Sequence, residues 1–208
     1  MISVSILGEK DNYTSAIEKI NSTSADFLHL DIMDNTFTYS KSFDLEQVKE
    51  IAKINNKKLD IHLMSYDIDI WLDECIKLKP DIISIHYEET ENIDKYIKKI
   101  KNNNILIGIA INPDTLVSQI YNYLDKVDIV LVMGVYAGKA GQEYIESTTK
   151  KLKQLKQLQK SYKYKIEVDG GINISTIKEI KDYTDIVVSG SFITNSNDYQ
   201  MKINELNA

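Results

Sequence analysis

The sequence predicts a (β/α)₈ barrel, an α/β fold in which eight parallel strands are ringed by helices. Two patterns carry that prediction. Eight short apolar runs alternate with helical stretches from end to end, and the runs are continuously Ile/Val/Leu-rich rather than alternating, as expected when both faces of a strand are covered. A third observation supports them: histidines, aspartates and glycines gather at the C-terminal ends of the runs, the end on which barrels build their sites.

The strands are expected at Ile2–Leu7, Phe27–Asp31, Leu59–Leu63, Ile82–His86, Leu106–Ile111, Ile129–Met133, Ile166–Asp169 and Ile186–Ser189. Between them apolar residues recur at helical spacing. Leu45, Val48, Ile51 and Ala52 make one such face, Ile93, Tyr96, Ile97 and Ile100 a second, and Ile145, Leu152, Leu155 and Leu158 a third. Eight strands with eight helical segments is the count that closes a parallel barrel. The alternative is an open, doubly wound sheet. It typically uses fewer strands and places a phosphate loop after the first, and Ile6-Leu7-Gly8-Glu9-Lys10 is not such a loop. No linker, low-complexity tract or whole-domain repeat interrupts the pattern, so residues 1–208 read as one barrel domain. The stretch Lys160 to Lys165 reads as a solvated helix end and turn.

A chain of 208 residues can bury a large core without a disulfide or a structural metal. Its 43% hydrophobic and 27% charged content is that of an ordinary globular protein. The formal charge is −6 and all 25 basic residues are lysine, so the chain offers neither a basic face nor a base-reading guanidinium, and nucleic acid is not an expected partner. The missing arginine also means that a bound phosphate must rely on backbone N–H groups, with lysine as the only side-chain cation. The lone cysteine, Cys75, lies in the apolar helical stretch Ile70 to Leu78 and reads as a small buried hydrophobe. No basic start, long apolar core or cleavage site follows Met1, and no run approaches membrane-spanning length, so a cytoplasmic protein without a membrane partner is expected.

The three histidines all lie toward the C-terminal ends of predicted strands. His29 and Asp31 are two apart in Phe27-Leu28-His29-Leu30-Asp31 and so share a face of the second strand. His62 sits in the third strand and Asp169 ends the seventh. Each alone is compatible with a structural role: strand-end histidines are commonly hydrogen-bonded, and Asp169-Gly170-Gly171 has the composition of a turn. Together they put two imidazoles and two carboxylates into one bowl, a donor set suited to one divalent ion such as Zn²⁺, Fe²⁺, Mn²⁺ or Co²⁺. His86 ends the fourth strand, but Tyr87-Glu88-Glu89 after it reads as a polar loop, so His86 is assigned a structural or supporting role.

Glycines form a second constellation. Gly134, Gly138 and Gly141 follow the sixth strand, Gly170 and Gly171 the seventh, and Gly190-Ser191 the eighth. Barrel phosphate sites commonly lie after strands seven and eight, where backbone N–H groups meet the anion.

At these residues the sequence resembles the ribulose-phosphate 3-epimerase family, from Ser3 to about Ile193. The resemblance is carried in order by Val4 to Leu7, Phe27 to Asp34, Asp60 to Met64, Gly108 to Pro113, Val130 to Gln142, Glu167 to Ile172 and Val187 to Ser191. It implies a barrel of the ribulose-phosphate-binding type with metal ligands at His29, Asp31, His62 and Asp169 and proton-transferring groups at Asp31 and Asp169. Ser5 and His62 correspond to substrate-binding positions. Met33, Met64 and Met133 match methionines that ring the reacting carbon, and Gly138, Gly141, Gly171, Gly190 and Ser191 match the phosphate-binding backbone. The sequence departs from the family at Asn35 and Gly8-Glu9, and in the strand-six loop Tyr136-Ala137-Gly138-Lys139-Ala140-Gly141.

The implied reaction is epimerisation next to a ketone in a phosphorylated ketose, through an ene-diolate, with one divalent metal ion and no organic cofactor. D-ribulose 5-phosphate and D-xylulose 5-phosphate are the implied pair. Ala140 resembles the related allulose-6-phosphate 3-epimerases, so a hexulose phosphate is the alternative. A barrel that binds sugar phosphate without catalysis is disfavoured by the retained pair Asp31 and Asp169. A decarboxylase or aldolase is disfavoured because no predicted strand end carries a lysine. Assembly into a homo-oligomer is left open.

Overall fold

The computed structural model describes residues 1–208. Eight strands pair in sequence order and close with β8 against β1, every pairing parallel. They are β1 (Ile2–Ser5), β2 (Phe27–Met33), β3 (Lys58–Met64), β4 (Ile82–His86), β5 (Leu106–Ile111), β6 (Ile129–Met133), β7 (Lys165–Asp169) and β8 (Ile186–Ser189). The first strand stops two residues short of its predicted end, because Leu7–Glu9 turns into a 3₁₀ helix beside the cavity described below. The second runs two residues further, to Met33, where it still pairs with β3 through Met33 and Met64.

Helices α1 (Tyr13–Asn21), α2 (Leu45–Ile54), α3 (Ile68–Lys77), α4 (Ile93–Lys101), α5 (Ser147–Leu158), α6 (Ile174–Ile180), α7 (Ser191–Thr194) and α8 (Tyr199–Asn207) account for most of the outer ring. After β5 the ring element is a 3₁₀ segment, Val117–Tyr123. The predicted faces of α2 and α4 turn inward through Val48 and Ile51 and through Ile93, Tyr96, Ile97 and Ile100. On α5 the buried face is Leu152 and Leu155 with Thr148 and Lys151, and Ile145 precedes the helix. Lys160 to Lys165 is not wholly a solvated turn, for Tyr164 is buried and its hydroxyl donates to the Leu155 carbonyl at 2.8 Å. Cys75 is buried on α3. No helix is long and apolar enough to cross a membrane.

The barrel interior is built in layers contributed by alternate strands. Phe27, Ile82, Ile129 and Ile186 open the four even strands and pack as a separate apolar cluster at the N-terminal end. Strand parity then stacks Ser3, Asp60, Gly108 and Glu167 from the odd strands, and His29, Ser84, Leu131 and Val188 from the even ones. Above these come Ser5, His62, Ala110 and Asp169. The middle of this barrel is thus polar on one side, between an apolar floor and the open top.

An aspartate precedes each even strand and clamps the odd strand before it. The carboxylates of Asp26, Asp81, Asp128 and Asp185 accept the N–H groups of Ile2, Leu59, Ile107 and Ile166 at 2.8–3.0 Å. The aspartate N–H in turn donates to the carbonyl of that same residue at 2.8–2.9 Å. The Asp-Phe or Asp-Ile pair is therefore a quarter-barrel repeat: its acid closes the strand edge and its apolar partner supplies the floor.

Removing one clamp tests that assignment. Asp128→Ala is expected to cost about 1.5–3 kcal/mol, the range for a hydrogen bond to a charged group, and Asp128→Asn less because its amide oxygen still accepts. Thermal melts of the two variants measure it; equal losses would show that the acceptor at this position is not what matters.

Candidate metal and active site

Residues at the C-terminal ends of β2, β3 and β7 converge. His29 Nε2 lies 3.4 Å from Asp31 Oδ1, and His62 Nδ1 lies 3.1 Å from Asp31 Oδ1 and 3.9 Å from Asp169 Oδ2. One donor atom from each of His29, Asp31, His62 and Asp169 lies within 4.8 Å of the others. His29 Nε2 is buried and has no hydrogen-bond partner. A buried imidazole nitrogen left bare beside two carboxylates and a second imidazole fits a divalent cation, and the two-nitrogen, two-oxygen set suits the borderline metals expected from the sequence.

The support beneath these groups was not foreseen. His29 Nδ1 lies 2.6 Å from Asp60 Oδ2, which also accepts from Ser3 Oγ at 2.8 Å. Glu167 is fully buried in the same layer, with neither carboxyl oxygen hydrogen-bonded. A readable signal existed, because Asp60 is two residues before His62 and Glu167 two before Asp169, so each shares its neighbour's face. Ser5 Oγ donates to Asp31 Oδ2 at 2.9 Å.

The loop after β4 is also more than polar surface. His86 Nε2 is 2.9 Å from His62 Nε2, and His86 Nδ1 is 2.9 Å from Glu88 Oε2. Glu88 Oε1 accepts the N–H of Asn112 at 2.8 Å and the hydroxyl of Thr115. Glu89 is buried, and its carboxylate accepts the N–H groups of Ser65 and His86.

Confinement divides these acids. Burial opposes ionisation of Asp31, but His29 and His62 outweigh it and hold the carboxyl below its usual range. Burial and the neighbouring charge of Asp31 push Asp169 up to about 7. Glu167 is raised by burial and by Asp60. Burial would lower His29, yet Asp60 and Asp31 raise it well above the usual imidazole value. Burial brings His86 down to about 4. Glu88, which burial alone would raise, is held at about 2 by its hydrogen bonds, that from His86 foremost.

Above the cluster opens a cavity of about 380 Å³. Ser5, Asp31, Asp169, Met64 and Met133 line it, as do Gly138, Gly141, Gly171, Gly190 and Ser191. His29, His62 and Met33 are buried and do not reach it. Gly171 has φ +72°, and a Cβ there would lie 2.5 Å from the Tyr144 backbone nitrogen, so only glycine fits. Gly190 leads into the short helix α7, whose first N–H groups have no partner within the helix.

The departures from the family pattern gather at this mouth. Gly8, Tyr136, Lys139 and Ala140 line the cavity. Tyr136 Oη donates to the Asp114 carboxylate at 3.0 and 3.1 Å, and Gln142 Nε2 donates to the carbonyls of Tyr136 and Lys139 at 2.8 and 3.0 Å. Asn35, another of the departures, has φ +69°, a region asparagine tolerates better than most residues.

A closed parallel barrel with a His₂Asp₂ cluster at its C-terminal end has the architecture of a barrel enzyme with a candidate metal site. Two solved barrels align with 99% of the chain: a Mycobacterium tuberculosis tryptophan synthase structure, with TM-score 0.74, 8% identity and 90% of that chain covered, and KGPDC from Streptococcus mutans, with TM-score 0.73, 14% identity and 94% covered. At those identities they speak for the fold alone. The model of the ribulose-phosphate 3-epimerase family matches residues 1–194. The Buchnera aphidicola ribulose-phosphate 3-epimerase is 39% identical over 187 residues, covering 87% of this chain and 82% of the relative. The Helicobacter pylori (strain ATCC 700392 / 26695) enzyme is 35% identical, covering 88% and 86%, and the Bacillus subtilis enzyme 31% identical, covering 91% and 89%. The chain belongs to the ribulose-phosphate 3-epimerase family and is an isomerase.

The depressed value of His86 has a consequence for stability. A histidine whose folded pKa is about 4 lends its full stability above the unfolded value near 6.5 and loses it as pH falls toward 4. In metal-free protein, His86→Gln should therefore gain on wild type by roughly 2–3 kcal/mol between pH 7.5 and 4.5. Denaturant titrations at both pH values measure the gain; a difference that does not change with pH would refute it.

Proposed function

We propose that this protein interconverts D-ribulose 5-phosphate and D-xylulose 5-phosphate, with Asp31 and Asp169 as the two proton-transferring groups. The observation that carries the reading is that these carboxyls come from β2 and β7, three strands apart around the closed barrel, and line one cavity. Two carboxyls reaching one substrate from different strands suit one proton acceptor and one donor. One Asp takes the C3 proton from one face of the substrate, and the other returns a proton to the opposite face. Ser5 orients Asp31 through its 2.9 Å hydrogen bond. Met64 and Met133 give an apolar lining without competing protons.

His29, Asp31, His62 and Asp169 are proposed to hold one divalent ion, Zn²⁺, Fe²⁺, Mn²⁺ or Co²⁺. When bound, it supplies Lewis-acid stabilisation of the negative charge that develops on the ketone oxygen. The phosphate is assigned to backbone N–H groups at Gly171, Gly190 and Ser191, closed over by the Gly138–Gly141 loop, with Lys139 as the nearby cation. The pentulose is favoured by the relatives, which are named ribulose-phosphate 3-epimerases. The hexulose alternative rests on Ala140. Steady-state rates on ribulose 5-phosphate and allulose 6-phosphate decide between them: a higher kcat/KM for the hexulose would transfer the assignment.

Chelation followed by dialysis should abolish turnover, and one equivalent of a single divalent metal should restore it. Full activity with no metal detectable by elemental analysis would remove the metal from the reaction.

Inversion needs both carboxyls, so Asp31→Asn and Asp169→Asn should each lose at least roughly 10²–10⁴-fold in turnover, with damage to the metal site added. Exchange with D₂O separates the roles. With metal retained, one variant should wash deuterium into C3 of one epimer without converting it, and the other variant should do so with the opposite epimer. A variant that still epimerises at the wild-type rate, or a metal-loaded pair in which neither exchanges, would overturn the two-aspartate assignment.

A further inference from the structure

The geometry points to His86 and Glu88 as positioning residues of the metal centre: they keep a proton on His62 Nε2, so that Nδ1 is the nitrogen His62 offers to the ion. The inference rests on reading His29, Asp31, His62 and Asp169 as one metal set.

The two histidines of that set are supported in opposite senses. His29 turns Nε2 toward the cluster, and its Nδ1 lies 2.6 Å from the Asp60 carboxylate. An ionised carboxylate only accepts, so a proton is held on Nδ1 and Nε2 is the nitrogen left to face the ion. His62 turns the other nitrogen inward. Its Nδ1 is 3.1 Å from Asp31 Oδ1, so a neutral His62 answering to Asp31 alone would carry its proton on Nδ1, where it blocks a metal. The rear nitrogen of His62 meets no carboxylate. It meets His86 Nε2 at 2.9 Å.

A chain of hydrogen bonds resolves the conflict, because each link has one polarity. Glu88 Oε1 is taken by the Asn112 N–H and the Thr115 hydroxyl, and Oε2 faces His86 Nδ1 at 2.9 Å. His86 therefore donates from Nδ1. Its Nε2 is then a lone pair, and the single proton between the two Nε2 atoms belongs to His62. Both imidazoles are sealed from solvent, and Phe37 packs on His86 with ring centroids 4.8 Å apart, so the ring is not free to turn. Outer partners of this kind fix the tautomer of a ligating histidine and its orientation.

Long-range ¹H–¹⁵N correlation of the histidine rings in untagged protein tests the chain directly, since three histidines give three patterns. His62 should be protonated on Nε2 in both metal-free and Zn²⁺-loaded protein, and His86 on Nδ1 with Nε2 bare. In His86→Leu, folded by circular dichroism, metal-free His62 should shift to the Nδ1–H form, and Zn²⁺ affinity in chelator competition should fall about 10–100-fold. His86→Gln, whose amide can accept from His62 and donate to Glu88, should restore both. Metal-free wild-type His62 protonated on Nδ1 alone, or His86→Leu binding Zn²⁺ within twofold of wild type, would overturn the inference. If wild-type protein bound no Zn²⁺ at these residues, the metal reading would fail, while the metal-free proton pattern would still decide the relay. If the leucine variant did not fold, the wild-type and glutamine patterns decide it.

Discussion

The structure turns on the burial of acid inside the barrel. Asp31, Asp60 and Glu167 are enclosed with three imidazoles, Asp169 stands above them at the cavity, and no lysine joins them. The one buried lysine, Lys151, sits on α5 and donates to the Asn112 carbonyl at 2.7 Å. An uncompensated buried charge costs several kcal/mol, so the column must either hold protons or hold a cation. It is arranged for both: His29 and Asp60 form a charge-paired support, Glu167 leans to the neutral form, and Asp169 stands near the middle of the physiological range. Because ligand atoms must shed protons to take a metal, loading this centre also discharges part of its burial cost.

That column can exist only because the rest of the fold is built to carry it. The apolar floor of Phe27, Ile82, Ile129 and Ile186 closes the bottom without polar atoms. The four aspartate clamps then fix the even strands against the odd ones below the polar layers. Gly108 leaves the volume that Ser84 occupies; a Cβ at Gly108 would fall 2.1 Å from Ser84 Oγ. A site held to within about half an ångström needs such a base, since sites built on strands are more precise than sites on loops.

Much of this was readable in the sequence. The strand runs and the ligand-type residues at their C-terminal ends follow from period-two geometry and the two-sided burial of parallel strands. What was not read followed from the same geometry applied too narrowly. Attention to strand ends found His62 and Asp169 but passed over Asp60 and Glu167 one pleat below. The Asp-Phe pair and the three Asp-Ile pairs were invisible because each looks like an ordinary strand start until all four are superposed. Glu88 and Glu89 read as solvated loop, since nothing local shows that a 3₁₀ turn folds them back onto His86 and Ser65. The early end of β1 and the burial of Tyr164 are tertiary outcomes that local propensity does not encode.

Several of the departures from the family pattern lie at the cavity mouth, and two of them make local contacts of their own. Asn35 holds a left-handed backbone that asparagine tolerates better than most residues. In the strand-six loop Gln142 donates to two of the loop's carbonyls, and Tyr136 is tied to Asp114. Asp114 lies in the same short turn as Asn112 and Thr115, which hold Glu88. One four-residue turn therefore anchors both the mouth of the cavity and the chain of hydrogen bonds behind His62. The mouth is held by exposed hydrogen bonds that several residue types could make, while the groups below are fixed by buried charge and have no substitute of the same polarity and size.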